Sequence, residues 1–398
     1  MALRAAKCRF LGTFGFMKEP AFVLEGKPVH VVDSAETLQA AVDHLAQEPE
    51  LALDLEFDQH HYTYGFNLCL IQISDGHHCF LIDPLPIADL QPLWDVLENP
   101  AIVKIFHHAN NDLMLLSMLG CQVRNLVDTS IAAKILNYAK AALGTLLEEE
   151  LQLKLDKSQQ MSNWNHRPLT KRQLEYAAQD VLYLHELKKA MVAKIEDLDR
   201  MHWLDEEDQL LENITFTTPE DPHLKIKFPQ RLTLFQQFIL KPIYDFRDEL
   251  AQKWNFPAGQ VINTNALMQL LNQPEGSIND WLYHTKGIHG RLQQDRFEQQ
   301  LQRILNGAVE EAKKQKIPNR LPPNTFPPRL KTPETEARKD LLCTVQKALI
   351  DRYGAYTTPM LLDQSTITHY SQTSEVVIPK KYARDIVLAT AQELGVEL

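Results

Sequence analysis

Residues 51–58 read LALDLEFD, an alternation in which Leu51, Leu53, Leu55 and Phe57 take one face and Ala52, Asp54, Glu56 and Asp58 the other. That is the period of a half-buried β-strand. Asp54 and Glu56 therefore share a face, roughly 6–7 Å apart along the strand. Two carboxylates so placed on a covered sheet repel one another unless a cation or hydrogen-bond donors stand between them.

Two more acids occupy similar positions. In IFHHANNDLMLL (105–116), Asp112 follows a predicted strand, Ile102 to Phe106, and opens an apolar helical stretch. In YAAQDVLYL (176–184), Tyr176 and Asp180 are four residues apart on a helix predicted from about Thr170 to Lys189, so a phenol and a carboxylate project together. The four acids span more than a hundred residues and act jointly only if the fold gathers them. An all-oxygen donor set suits Mg²⁺ or Mn²⁺ better than zinc. Four acids can hold two such ions, the arrangement that clamps the attacking and leaving oxygens of a phosphodiester. Read singly, each residue has an ordinary role: a D-x-E pair is commonly a solvated strand face, and Asp112 suits a helix N-terminus.

The motifs LDLEF, FHHANND, VDTSIAAKIL and KSQQMSNWNHRPLTKRQLEYAAQDVLYL (157–184) resemble the DEDD exonuclease superfamily, in the subgroup with tyrosine four residues before the last aspartate, and most closely the ribonuclease D family. Ser158, Trp164, Arg167, Pro168, Leu169, Gln173 and Leu174 all match that family's pattern. The sibling subgroup has histidine five residues before the last aspartate, and Glu175 stands there. The resemblance implies a ribonuclease H-like α/β fold and metal-dependent 3′→5′ exonuclease activity on RNA with two divalent ions, Mg²⁺ or Mn²⁺. Asp54 would bridge both ions, Glu56 and Asp180 would complete the site for the ion that activates water, Asp112 would hold the other, and Tyr176 would orient the water. The substrates expected are tRNA precursors or other structured RNA 3′ ends. A DNA 3′→5′ exonuclease and a nucleic-acid-binding protein with a vestigial site are the rivals.

Neighbouring residues carry smaller expectations. Phe57, His107 and Arg167 are candidate substrate-binding groups, Arg167 through its planar fork. His107 and His108 lack a cysteine or further histidine at zinc-ligand spacing, and Asp128 before Thr129 reads as an N-cap. The loop after the D-x-E strand, with His60, His61, Tyr62, Tyr64 and Phe66, could stack on a terminal base.

With 398 residues, the chain is long enough for two or three domains. The pattern predicts an extension over 1–27, an exonuclease domain over 28–215 with a mixed sheet, a helical domain over 225–315, a proline-rich linker over 316–333 and a helical segment over 334–398. The acidic run Asp205 to Glu212 and TFTTPEDPH (215–223) mark the first boundary. YDFRDELAQKWNFPAGQVINTNALMQLL (244–271) resembles the HRDC domain, a small bundle that helps hold nucleic acid; residues 334–398 match a second such unit only in position and helical character. Lys225, Lys227, Arg231, Lys241 and Arg247 are its candidate contacts, and its prolines are expected at turns, Pro257 and Pro274.

The net charge of −11 divides into −16 over residues 1–222 and +5 over 223–398. Bound metal would offset part of the first, and the second could meet phosphates. Five cysteines without a C-x-x-C pair favour a reducing, cytoplasmic setting. No apolar run approaches the roughly 20 residues of a membrane span.

Overall fold

The computed structural model describes residues 19–155, 159–323 and 330–398. Ser158, Cys8, Pro327, Pro328 and residues 1–18 of the expected extension lie outside the described residues.

Seven strands form one sheet: β1 (Phe22–Leu24), β2 (Lys27–Val32), β3 (Glu50–Gln59), β4 (Phe66–Ser74), β5 (Cys79–Ile82), β6 (Val103–Phe106) and β7 (Leu126–Asp128). Their order is β1-β2-β5-β4-β3-β6-β7. β2 and β5, β3 and β6, and β6 and β7 are parallel, whereas β1 and β2, and β4 and β5, are antiparallel. This is the mixed sheet that the pattern predicts. β3 lies in its interior, so Leu51, Leu53 and Leu55 are buried and the acid-bearing side of the strand stays partly open.

Helices cover the sheet: α1 (Ala35–Leu45), α2 (Gln91–Leu97), α3 (Asn110–Met118), α4 (Thr129–Ile135), α5 (Leu143–Leu151), α6 (Lys171–Leu182), α7 (Leu184–Asp197) and α8 (Met201–Glu212). α1 starts at a capping box between Ser34 and Thr37 and buries Leu38, Ala41, Val42 and Leu45, one face at helical spacing. Three features depart from expectation. The single helix predicted from about Thr170 to Lys189 is broken at Tyr183, which leaves helical geometry; Lys27 Nζ donates to the freed Leu182 carbonyl at 2.7 Å and stabilises that end. The acidic run expected as a break is part of α8, whose Trp203, Leu204, Glu207, Asp208 and Leu211 face inward. Within the expected extension, Phe22–Leu24 adds the edge strand β1.

The remaining helices are α9 (Leu234–Trp254), α10 (Ala258–Val261), α11 (Thr264–Asn272), α12 (Ile278–His284), α13 (Asp295–Lys314), α14 (Pro333–Tyr353), α15 (Thr358–Leu361), α16 (Gln364–Thr373) and α17 (Lys381–Glu393). Pro242 sits inside α9 rather than at a turn, in a helix held by burial of Ile239, Leu240, Ile243 and Phe246. By their contacts, the described residues form two units. One takes in those of Met1–Glu56 with Leu68–Phe216 and Arg329–Leu398; the other consists of Phe57–Asn67 and Thr217–Pro328. In the first, α17 meets α8: Lys380 Nζ lies 2.6 Å from Glu207 Oε1, and the Tyr382 ring stacks on Trp203 with centroids 5.1 Å apart. No helix among the described residues is long and apolar enough to cross a membrane.

Candidate active site

Strand β3 presents Asp54 and Glu56 side by side, and helix α6 brings Asp180 to them from the far end of the motif array. One carboxylate oxygen from each lies within 4.8 Å of the others. Helix α6 is set by a capping box, Thr170 Oγ1 accepting from Gln173 N at 3.3 Å. It is anchored by buried Ala177, Ala178, Val181 and Leu182, which leaves Tyr176 and Asp180 together on the neighbouring face. The Tyr176 phenol and the Asp180 carboxylate interact: the acid raises the pKa of the phenol, and the phenol lowers that of the acid.

The electrostatics are those of acids crowded without a counter-charge. Burial raises the Asp54 carboxyl well above its ordinary range, and the charges of Asp180, Asp112 and Glu56 push it further. Glu56 is raised by burial, then by Asp180 and Asp112. Burial pushes Asp180 up to about 7 against the influence of the Tyr176 phenol, which lowers it. No basic side chain enters these causes. The residues fit a hard divalent cation: all ligand atoms are carboxylate oxygens, convergent and mutually repelling.

Asp112 stands in the first turn of α3, buried, outside the three-oxygen cluster but close enough to act on Asp54 and Glu56 by charge. Asp128 fixes that helix. Its side chain caps α4 at Ser130 N (2.7 Å) and also accepts from the backbone of His108 (3.2 Å) and Ala109 (2.9 Å) at the entry to α3. Burial opposes ionisation of Asp128, and these hydrogen bonds outweigh it, so its pKa is lowered. His107 lies 2.8 Å from Thr129 Oγ1 through Nδ1; burial, then His108, lowers it to about 4, so it is neutral.

Arg167 is committed within the protein. It bonds Asp83 through Nε (2.5 Å) and a terminal nitrogen (2.8 Å), and the carbonyls of Cys69 (2.6 Å), Trp164 (2.7 Å) and His166 (3.0 Å). The fork thus fastens the loop before α6 rather than reaching for a phosphate. Trp164 is buried with its ring 6.1 Å from that of Tyr176. Phe57 meets Phe66 edge-on at 5.1 Å. Sequence reading passed over Asp58, which accepts from the backbone of His61, Tyr62 and Thr63 and from Thr63 Oγ1, so it shapes the aromatic loop. The turn-rich HHYTYG text after it was the available signal. It also passed over Asp83, whose partner lies 84 positions away.

This fold and this cluster of acids define a 3′→5′ exonuclease domain, and residues 29–196 match the family model described as 3′→5′ exonuclease. The chain is 36% identical over 277 residues to ribonuclease D of Shewanella sp. (strain ANA-3), covering 66% of this chain and 70% of that one. It is 34% identical over 296 residues to ribonuclease D of Zymomonas mobilis, covering 73% and 75%. The catalytic core of RRP6 from Trypanosoma brucei superposes with a TM-score of 0.63 at 25% identity, over 75% of this chain and 84% of that one. Escherichia coli RNase D shares the fold, with a TM-score of 0.64 at 23% identity over 92% and 99%. The chain belongs to the ribonuclease D family, and its activity is that of a 3′→5′ exoribonuclease.

Proposed function

We propose that this exoribonuclease trims the 3′ ends of structured RNA, tRNA precursors among them, in the cytoplasm, using two divalent cations, Mg²⁺ or Mn²⁺. The observation that carries the reading is the convergence of Asp54, Glu56 and Asp180 from two elements onto one point, with Tyr176 one helical turn before Asp180 and acting on its ionisation. Asp54, Glu56, Asp180 and Asp112 would hold the ions, Asp54 shared between them. Bound there, the ions would supply positive charge against the charge developing on the phosphodiester and make water nucleophilic near neutral pH.

Tyr176 acts as a neutral hydrogen-bonding group that orients the attacking water. Its proton is held by burial and by Asp180, Glu56 and Asp54, all of which raise its pKa. Phe57, adjoining Glu56 on β3, is the candidate platform for the terminal base. His107, neutral at the end of β6, is a candidate neighbour of the terminal sugar. Arg167 enters as a positioning group that sets the Trp164 and Tyr176 side of the site. The spans 28–215, 225–315 and 334–398 serve as exonuclease domain and two HRDC-like helical domains. Cys69, Cys79, Cys121 and Cys343, which form no disulfide among the described residues, support a reducing compartment.

A time course on 5′-labelled tRNA with a 3′ extension tests this, with Mg²⁺, Mn²⁺ or chelator and beside a matched DNA strand. Metal-dependent shortening of the RNA to the mature end is the expected result. Equal digestion of the DNA would make the protein a general 3′→5′ exonuclease, and intact RNA with measurable binding would indicate a vestigial site.

A further inference from the structure

We infer that Trp254, Phe256, His289 and Arg291 form a subsite for single-stranded RNA upstream of the 3′ terminus being cleaved; the inference rests on the exoribonuclease reading and extends it. All four residues lie in the helical unit, at the turn that ends α9 and on the loop before α13. Asn255 adopts left-handed geometry, and Phe256 N donates to the Ala251 carbonyl at 3.0 Å. The chain therefore reverses between two half-buried aromatic rings. The facing loop is held firmly. Asn263 N donates to the Gly287 carbonyl at 2.8 Å, His289 N donates to the Val261 carbonyl at 2.9 Å, and Ile288 bridges Ile262. Gly287 has φ +90°, and a Cβ there would lie 1.8 Å from the Asn263 side chain, so only glycine fits.

This frame holds two groups against the same pair of rings. The His289 ring lies 5.7 Å from Trp254 and 5.1 Å from Phe256, and the Arg291 guanidinium lies 5.8 Å and 5.3 Å from them. Arg291 is exposed and, among the described residues, has no ion-pair partner; neither has Lys286 on the same loop nor Lys253 next to Trp254. Aromatic faces interleaved with unneutralised cations are the two components of single-strand recognition, base stacking and phosphate pairing. Two of the five candidates read from sequence are less available: Arg247 is buried against Tyr244, and Lys241 pairs with Asp245.

The place of the patch points to the exonuclease substrate. The loop Phe57–Asn67, which the chain enters directly from Glu56, belongs to the same unit. Tyr64 fastens it there, its hydroxyl donating to Asp248 Oδ2 at 2.7 Å and its N–H donating to Asn255 Oδ1 at 3.3 Å. Asn255 is the residue between Trp254 and Phe256. A strand lying on the patch is thus beside the loop that continues the strand of Asp54 and Glu56.

The test compares Mg²⁺-dependent turnover of 20-nucleotide and four-nucleotide single-stranded RNA by the full chain and by Arg291→Ala, Arg291→Lys and Lys286→Ala. For Arg291→Ala, KM for the 20-mer should rise about tenfold with kcat within about twofold, and the penalty should shrink on the tetramer. The slope of log KM against log salt should fall by about one for Arg291→Ala and recover in Arg291→Lys, which keeps the charge. An unchanged 20-mer KM in all three variants, or equal losses on both lengths, would overturn the subsite. Absence of RNA shortening by the unaltered protein would instead remove the exoribonuclease reading beneath it.

Discussion

Tyr176 and Asp180 stand one helical turn apart on the same face of α6, and the phenol lowers an Asp180 pKa that burial raises to about 7. The two residues tune each other: the carboxylate holds the phenol protonated, and the phenol favours the ionised carboxylate. Tyr176→Phe removes the donor and keeps the ring. We expect kcat to fall about 10²-fold, with little change in the Mg²⁺ concentration giving half-maximal rate. Because the phenol favours the charged carboxylate, its removal raises the Asp180 pKa and moves the acid limb of the pH–rate profile to higher pH. A limb that stays in place, or a parallel loss of metal affinity, would show that the phenol only packs.

Asp54 separates stability from activity. Its carboxyl is desolvated and faces three other acids, so ionising it in the metal-free protein is unfavourable. Asp54→Asn should abolish cleavage while raising the metal-free melting temperature by ~2–4 °C, the equivalent of about 1 kcal/mol for a unit of this size. The same variant should lose most of the Mg²⁺-induced stabilisation seen in the unaltered protein. Calorimetry with and without Mg²⁺ reads both effects; a lower metal-free melting point would make Asp54 a structural residue.

Much of the site was readable because its signals are local. The alternation around Asp54 and the i, i+4 pairing of Tyr176 and Asp180 each act over a few residues. What remained hidden depends on partners distant in the chain. β7 has three residues, too few to show a period, and becomes a strand only by pairing with β6. The break at Tyr183 is served by Lys27, 155 positions from Leu182. Arg167 reads as a phosphate ligand until Asp83 is seen to occupy it. Nor does any local pattern reveal that Tyr64 bonds Asp248.

Away from the acids, His44 and Asp75 predict a pH window for stability. The His44 Nε2–H donates to Asp75 Oδ2 at 2.6 Å, and His78 Nδ1 lies 3.0 Å from the same oxygen. The Asp75 bond raises the His44 pKa against burial, with further help from the charges of Asp75 and Glu48. Burial would raise Asp75, but its hydrogen bonds to His44, His78 and His77 override this and hold it well below the usual range. A histidine raised on folding stabilises fully below its unfolded pKa and loses that contribution as pH rises through its folded value; the lowered aspartate contributes above its unfolded pKa and loses it as pH falls. The pair is therefore strongest between about pH 4.5 and 6.5. His44→Gln should cost about 1 kcal/mol at pH 6 and clearly less at pH 8.5. Urea unfolding at both values checks this; an equal cost at each would mean that His44 acts by packing alone.

The contact between α17 and α8 decides whether the C-terminal helices share the stability of the catalytic unit. Trp203 and Tyr382 are each 3% exposed and stack at 22°, and Arg200 lies 5.0 Å over Trp203. The Tyr382 hydroxyl bonds Glu207, which also receives Lys380. At the other end of the contact, Thr357 Oγ1 donates to the Lys134 carbonyl at 2.8 Å. Removing the Tyr382 ring leaves a cavity beside Trp203, so Tyr382→Ala should cost about 3–5 kcal/mol, whereas Tyr382→Phe, which keeps the stack and leaves Glu207 with Lys380, should cost about 1 kcal/mol. If the helices and the sheet unfold as one, circular dichroism and tryptophan fluorescence changes will coincide in the unaltered protein and shift together in Tyr382→Ala. If the helices are an independent domain, Tyr382→Ala will leave the sheet's transition in place. We expect the joint shift, because the hydrogen bonds at Glu207 and Lys134 place the interface on α8 and on the carboxyl end of α4, the helix that Asp128 caps beside the entry to the Asp112 helix. For the same reason, truncation before Arg329 should lower the melting temperature of the catalytic unit as well as remove the helices.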